Sequence, residues 1–294
     1  MKRILACVLM VLAVSTVALS DQLVLLSPHR KSLQDEFVPL FKEYYKKTFS
    51  TEIQVDWLDQ GGTSNDIRFL RSRFGAHPAS AGVDVFWGGP SIHYMEIAKE
   101  GFLASYPLPA ALAAEIPQSC SGIPLRDADS RWHASAISSF GFFVNKSVLK
   151  TYGLSEPKQW QDLASPKYLD QLSLADPRNS GTNSTINTII LQSLGWEKGW
   201  ATLAAIAGNT RKFLSSSSDP VKAVETGDAA ASMMIDFYGL AKMQELGADR
   251  VDFLLPVGQT ILDSDPVALV KGAPNLKEAK RFIDFILSDR DIGS

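Results

Sequence analysis

Cysteine is nearly missing from this 294-residue chain, which has only Cys7 and Cys120. Cys7 lies in an apolar N-terminal run, which leaves Cys120 alone in the rest of the chain. A disulfide framework is therefore excluded, and the fold must stand on its core. Cys120 sits in Ser119-Cys120-Ser121-Gly122 with no activating base in the pattern, so a bland thiol is expected over a nucleophile. Excess positive charge is missing too. With 29 Lys and Arg against 32 Asp and Glu, the formal net charge is -3. No basic stripe carries interleaved aromatics, so nucleic acid and an anionic membrane surface are not expected partners. The sequence also lacks Gly-x-Ser-x-Gly, a phosphate-binding loop and His-Glu-x-x-His. No enzyme activity and no cofactor are expected.

Long hydrophobic runs are confined to the N-terminus. Lys2 and Arg3 precede an almost continuous apolar stretch from Ile4 to Leu19, and Ala18-Leu19-Ser20 places small residues where a signal peptidase reads. The run is shorter than a bilayer span, so residues 1–20 are expected to be a cleaved signal peptide and the mature chain to be periplasmic. The whole chain is 45% hydrophobic and 21% charged, ordinary for a globular protein with one large or two medium domains.

The mature chain opens with three strand–loop–helix units. Leu23–Leu26, Ile53–Leu58 and Val83–Trp87 read as strands. Helical faces follow at Leu33, Phe37, Leu40, Phe41 and Tyr44, at Ile67, Leu70 and Phe74, and at Tyr94, Ile97 and Ala98. Such alternation predicts a parallel sheet covered by helices, with ligands outside the carboxyl ends of its strands. Ala134–Asn145 is a long extended stretch suited to connecting two lobes. A second alternation runs through strands at Leu172–Ala175 and Ala230–Ile235, and strand-like runs recur at Phe253–Leu255 and Val267–Val270. A final helix carries Ala279, Phe282, Ile283, Phe285 and Ile286.

Several ordered motifs carry a resemblance. They are Asp84-Val85-Phe86-Trp87-Gly88-Gly89, Pro157-x-x-Trp160-x-Asp162-Leu163-x-x-Pro166-x-Tyr168, Asp176-Pro177-x-x-Ser180-Gly181-Thr182, Ala223-Val224-Glu225-x-Gly227-Asp228-Ala229 and Asp265-Pro266-Val267-Ala268. With these the chain resembles the periplasmic iron(III)-type branch of the family 1 extracellular solute-binding proteins of ABC importers. The resemblance implies an α/β, two-lobed type II periplasmic-binding-protein fold with a ligand cleft between the lobes. Lobe 1 is expected at 21–135 plus 256–294 and lobe 2 at 136–255, with hinges near Ser138–Gly141 and Leu255–Gly258. Members usually continue further, so a truncated C-terminus is expected. The implied role is that of a monomer that captures a small-molecule or ion ligand and delivers it to an ABC permease in the inner membrane. A ligand-sensing input protein and an enzyme on the same scaffold are the alternatives.

Iron-binding relatives hold ferric ion with a His, a Glu and an adjacent Tyr-Tyr pair. Here His29 and Tyr238 match, but Phe237 replaces the first tyrosine, and the glutamate position falls in Gly88-Gly89-Pro90. One phenolate and one imidazole are too few for ferric ion. No metal is expected, although an iron alternative would rest on His29 and Tyr238. A small anionic organic molecule such as a phosphorylated compound is preferred. Gly62-Thr63-Ser64 and Ser180-Gly181-Thr182 lie where helices begin, and each either caps its helix or offers N–H and hydroxyl donors to an anion. Arg178, beside Asp176, adds a possible charge-assisted bond. Gly88, Gly89, Ser138, Ser139, Ser217 and Asp236 complete the expected ligand contacts. Trp87 is read as core or ring-stacking, and His77, His93 and His133 as structural.

Overall fold

The computed structural model describes residues 20–215 and 218–288, so all but the last residue of the expected signal peptide (1–20) lies outside it. The first half runs β1 (Asp21–Leu26), α1 (Lys31–Phe49), β2 (Ile53–Leu58), α2 (Thr63–Ala76), β3 (Val85–Trp87) and α3 (Ser91–Lys99). A short helix α4 (Ala110–Glu115) and the small hairpin β4 (Ser119–Cys120) and β5 (Ile123–Pro124) precede the long strand β6 (His133–Asn145). Next come α5 (Lys146–Thr151), β7 (Leu172–Ala175), α6 (Gly181–Leu194), α7 (Trp196–Asn209), β8 (Thr210–Leu214), α8 (Asp219–Thr226), β9 (Ala231–Ile235) and α9 (Asp236–Leu246). The chain closes with β10 (Val251–Leu254), β11 (Leu262–Leu269) and α10 (Leu276–Leu287).

The main sheet is ordered β2-β1-β3-β11-β6-β9-β7-β8, with β10 also on β6. β1 pairs parallel with β2 and β3, and β7 pairs parallel with β8 and β9. β6 joins the two halves. Its residues 133–139 pair antiparallel with β11, and its residues 140–145 pair antiparallel with β9 and β10. Gly141 is required at this crossing, because a Cβ there would lie 2.3 Å from the Leu254 carbonyl oxygen.

Strand alternation sorts the first core into two faces. Leu23, Leu25, Val85, Trp87, Val267 and Leu269 pack with α1 and α10 on one side. Leu26, Val83, Phe86, Ala268 and Val270 pack with α2 and α3 on the other. Phe41 of α1 meets Phe282 of α10 edge-on at 5.0 Å. A separate core draws all its buried residues from between Phe140 and Val251. Two cores, one contiguous in sequence and one built from both chain ends, produce the two-lobed α/β architecture.

Two landmark residues of the sequence prove to be structural ties. Asp84 accepts hydrogen bonds from Val24 N at 2.7 Å and from Asn275 N at 2.7 Å, holding the last helix to the sheet. Asp162 accepts from Lys158 N and Gln159 N at 2.7 and 2.9 Å, while Trp160 donates its indole N–H to Gln259 O. β11 begins five residues before the apolar run at Val267, because the polar stretch Leu262–Pro266 pairs with β6. Trp200 shares the helical spacing of the buried Leu203 and Ile206 on α7, yet it is half exposed beside Trp196.

Candidate functional site

The strand-to-helix loops of the two halves meet face to face. Gly62 has φ +128°, and a Cβ on it would lie 2.6 Å from the Asn179 carbonyl oxygen. That carbonyl accepts the Ser64 N–H at 3.2 Å. Arg68, one turn into α2, donates to Arg178 O at 2.8 Å and to Asn179 Oδ1 at 3.0 Å. Gly181, the first residue of α6, presses on Thr63 and Pro90. Thr63, Ser180 and Thr182 are buried by this contact. Ser180 Oγ accepts the Asn183 N–H at 3.1 Å, so its hydroxyl caps α6 here. The expected pair of helix starts thus forms the seam between the halves.

His29, Gly88 and Gly89 gather behind that seam. The buried His29 ring has Nδ1 3.1 Å from Ser27 Oγ and Nε2 3.0 Å from Asp265 Oδ2. Its edge packs on Trp87 at 4.6 Å. Gly88 has φ +103°, and a Cβ there would overlap the imidazole at 2.5 Å. The Gly89 N–H donates to Asp265 Oδ1 at 2.6 Å. Both ring nitrogens of His29 are therefore engaged within the protein. Trp87 is core, buried among Phe37, Trp57 and Phe282.

Asp236 opens α9 and receives Ser139 N and Oγ at 2.7 and 2.8 Å, and its other oxygen takes the Phe237 N–H at 2.7 Å. Ser138 and Ser139 are buried in the crossing strand. Asp236 and Ser138, with His29, Phe37, Trp87, Phe237 and Leu240, border a mainly apolar cavity of about 450 Å³, which Ser139 does not line. Tyr238 faces the other way and is buried. The Arg30 guanidinium lies over its ring at 4.6 Å. Burial pushes the Tyr238 phenol up, against the opposing pull of Arg30, so it is a neutral hydroxyl at physiological pH. Among the described residues, no group of three His, Cys, Asp or Glu is placed to hold a metal ion.

Arg178 turns away from the seam. Its side chain is 86% exposed and forks onto Asp176, at 3.0 Å from Nε and 2.5 Å from Nη2. That bond holds the Asp176 carboxyl below the usual carboxylate range. Ser217 lies outside the described residues. Of the three other histidines, His133 donates its Nε2–H to Tyr106 O at 2.9 Å, and burial lowers the pKa of both His93 and His133.

A second cavity of about 530 Å³, lined largely by charged and hydroxyl-bearing residues, lies beside the seam, between the halves. From the first half come Arg30, Lys31 and Ser32 at the start of α1, with Asp59 and Gly61 after β2. From the second come Ser215, Ser218 and Asp219 before and at the start of α8, with Lys222 and Glu225 on α8 and Lys242 on α9. α1, whose first residues line this space, has no side-chain cap at its N-terminus. The Arg30 Nε is buried without a hydrogen-bond partner. Lys242 is bound by Glu225 and Glu245, at 3.3 and 2.6 Å. Sequence reading stopped at His29 and missed the next two residues. The signal was a cation pair, Arg30-Lys31, directly at a strand-to-helix turn.

The chain as a whole is similar to known proteins. The family described as bacterial extracellular solute-binding protein matches residues 80–293. The chain is 31% identical over 180 residues to the phosphoglycerate transport regulatory protein PgtC of Salmonella typhimurium, a stretch covering 61% of this chain and 44% of that protein. The chain thus spans about half the length of the curated relatives it matches. Among solved structures, the periplasmic binding protein P5PA is similar at a TM-score of 0.77 and 25% identity, over 92% of this chain and 80% of that one. AfuA from Actinobacillus pleuropneumoniae, solved with exogenous fructose-6-phosphate bound, is similar in fold at a TM-score of 0.78 and 22% identity, over the same shares.

Proposed function

The chain belongs to the bacterial extracellular solute-binding proteins, and from that premise we propose that it captures a small anionic organic solute, such as a phosphorylated compound, in the periplasm for an ABC permease. The observation that carries the choice of solute is Arg30. It borders the interlobe cavity beside the uncapped start of α1 and, among the described residues, has no carboxylate within ion-pair distance. A guanidinium in that state makes charge-assisted hydrogen bonds to a phosphate, and a helix N-terminus favours the same charge. Lys222 faces the cavity from the other lobe, so an anion held between them favours the closed arrangement over an open one. We place lobe 1 at residues 21–135 plus 256–294 and lobe 2 at 136–255, of which 216–217 and 289–294 lie outside the described residues, with the hinge where β6 passes Gly141 and near Leu255–Gly258. The fructose-6-phosphate in the AfuA structure is consistent with this class of ligand.

The test is calorimetry and thermal shift on ligand-stripped protein with glycerol 3-phosphate, glucose 6-phosphate, free glucose and ferric citrate. At 100 times the dissociation constant, a phosphate ester stabilises the fold by about 2.7 kcal/mol. Replacing Arg30 by Ala weakens that binding by roughly 1.5–3 kcal/mol, the worth of a charged hydrogen bond. Binding of free glucose or ferric citrate with no response to any phosphate ester overturns the reading.

A further inference from the structure

The charges around the interlobe cavity say more than that its ligand is an anion. Lys31 is paired with Asp35, and Lys242 is held by both Glu225 and Glu245. Among the described residues, neither Arg30 nor Lys222 has a carboxylate within ion-pair distance, although both line the cavity. Those two cations match the charge of one phosphate group. They leave no cation for a second anionic group on the same molecule.

Asp59 lines the cavity next to them, at the end of β2. One of its oxygens, Oδ1, takes the Gly61 N–H at 2.7 Å. Its exposed side chain has no cation within ion-pair distance among the described residues. A carboxylate in this state accepts hydrogen bonds from a hydroxyl or ammonium and repels an anion. Resting on the anion-binding reading above, we propose that Asp59 is the specificity-determining residue of the cavity. It selects phosphate esters whose remainder carries a hydrogen-bond donor and rejects those carrying a second negative group. Arg30 and Lys222 hold the phosphate from opposite lobes, and Asp59 reads what is attached to it.

The phosphoglycerate connection of the relative PgtC supplies the sharpest comparison. Dissociation constants are measured for glycerol 3-phosphate, phosphoethanolamine, 3-phosphoglycerate and inorganic phosphate, on the parent protein and on Asp59→Asn. Asparagine retains an oxygen for the Gly61 N–H, so the loop keeps its turn. The parent binds glycerol 3-phosphate or phosphoethanolamine about tenfold more tightly than 3-phosphoglycerate, the effect expected of one uncompensated charge about 10 Å or less away. In Asp59→Asn that preference shrinks toward unity, mainly through tighter 3-phosphoglycerate binding, while inorganic phosphate changes little. Equal or tighter binding of 3-phosphoglycerate by the parent overturns the role of Asp59 and leaves the anion site standing. A preference that survives unchanged in Asp59→Asn does the same. Failure of all four compounds to bind removes both readings together.

Discussion

Gly181→Ala isolates lobe closure from folding. Gly181 is the first residue of α6, at an ordinary helical backbone angle. The three nearest atoms that an added methyl carbon would meet all belong to the other lobe: Thr63 Cβ at 2.9 Å, Thr63 Oγ1 at 3.1 Å and Pro90 Cδ at 3.1 Å. Ordinary contacts of this kind lie near 3.5–4.0 Å, so the halves must separate by roughly half an ångström or distort. Overpacking of this size costs about 1–3 kcal/mol, and the cost falls on the closed form alone. Alanine is at least as good a helix former as glycine, so the melting temperature of the unliganded protein stays level or rises. Affinity for glycerol 3-phosphate falls roughly 5- to 150-fold. Calorimetry gives the affinity, and small-angle scattering of the liganded protein reports a less compact particle. An unchanged dissociation constant with an unchanged compact profile refutes the reasoning, because the contact would then be irrelevant to the bound state.

Other perturbations test separate parts of the structure. Gly141→Ala forces a methyl group onto the Leu254 carbonyl at 2.3 Å, and chemical denaturation should record a loss of about 3 kcal/mol or more, beyond a usual small-to-large change. Asp265→Ala leaves His29 Nε2 and the Gly89 N–H without their acceptor, and the same assay should show a loss of roughly 2–3 kcal/mol. Burial holds the Asp66 carboxyl well above the usual carboxylate range, so the folded protein keeps a proton that the unfolded chain releases. Its contribution is present in acid and is lost as pH rises through the folded value. Asp66→Asn should therefore melt at a higher temperature than the parent at pH 8, with the gap closing toward pH 4; a gap independent of pH contradicts this.

Much of the architecture was legible because apolar runs and turn residues mark it. The buried strands at Leu23–Leu26 and Leu172–Ala175 and the helix carrying Phe282 and Ile286 are hydrophobic where they are buried. The start of β11 was not legible, since Asp263, Ser264, Asp265 and Pro266 look like a loop and owe their place to pairing with β6. The site divides in the same way. Glycine-rich turns at Gly62, Gly88 and Gly181 identified the loops that meet between the lobes. What those loops do depended on partners distant in sequence: Asn179 against Ser64, Asp265 against His29, Asp236 against Ser139. No local pattern reports such pairings. Arg30 and Asp59 escaped notice because an exposed-looking charge in a loop carries no periodicity; only the cavity they share gives them significance.

The uneven way the two cores draw on the chain governs the order in which the molecule can assemble. Every buried residue of the second core lies between Phe140 and Val251, so that half can condense from one uninterrupted stretch. β3 instead awaits β11, and Phe41 awaits Phe282, across separations of about 180 and 240 residues. Contacts so distant in sequence form late and slowly. A chain emerging N-terminus first therefore holds three strand–helix units with an open sheet edge until β11 arrives. During that interval β3 is the exposed edge at which aggregation is to be expected, and a holding chaperone would act there before the protein is able to bind anything.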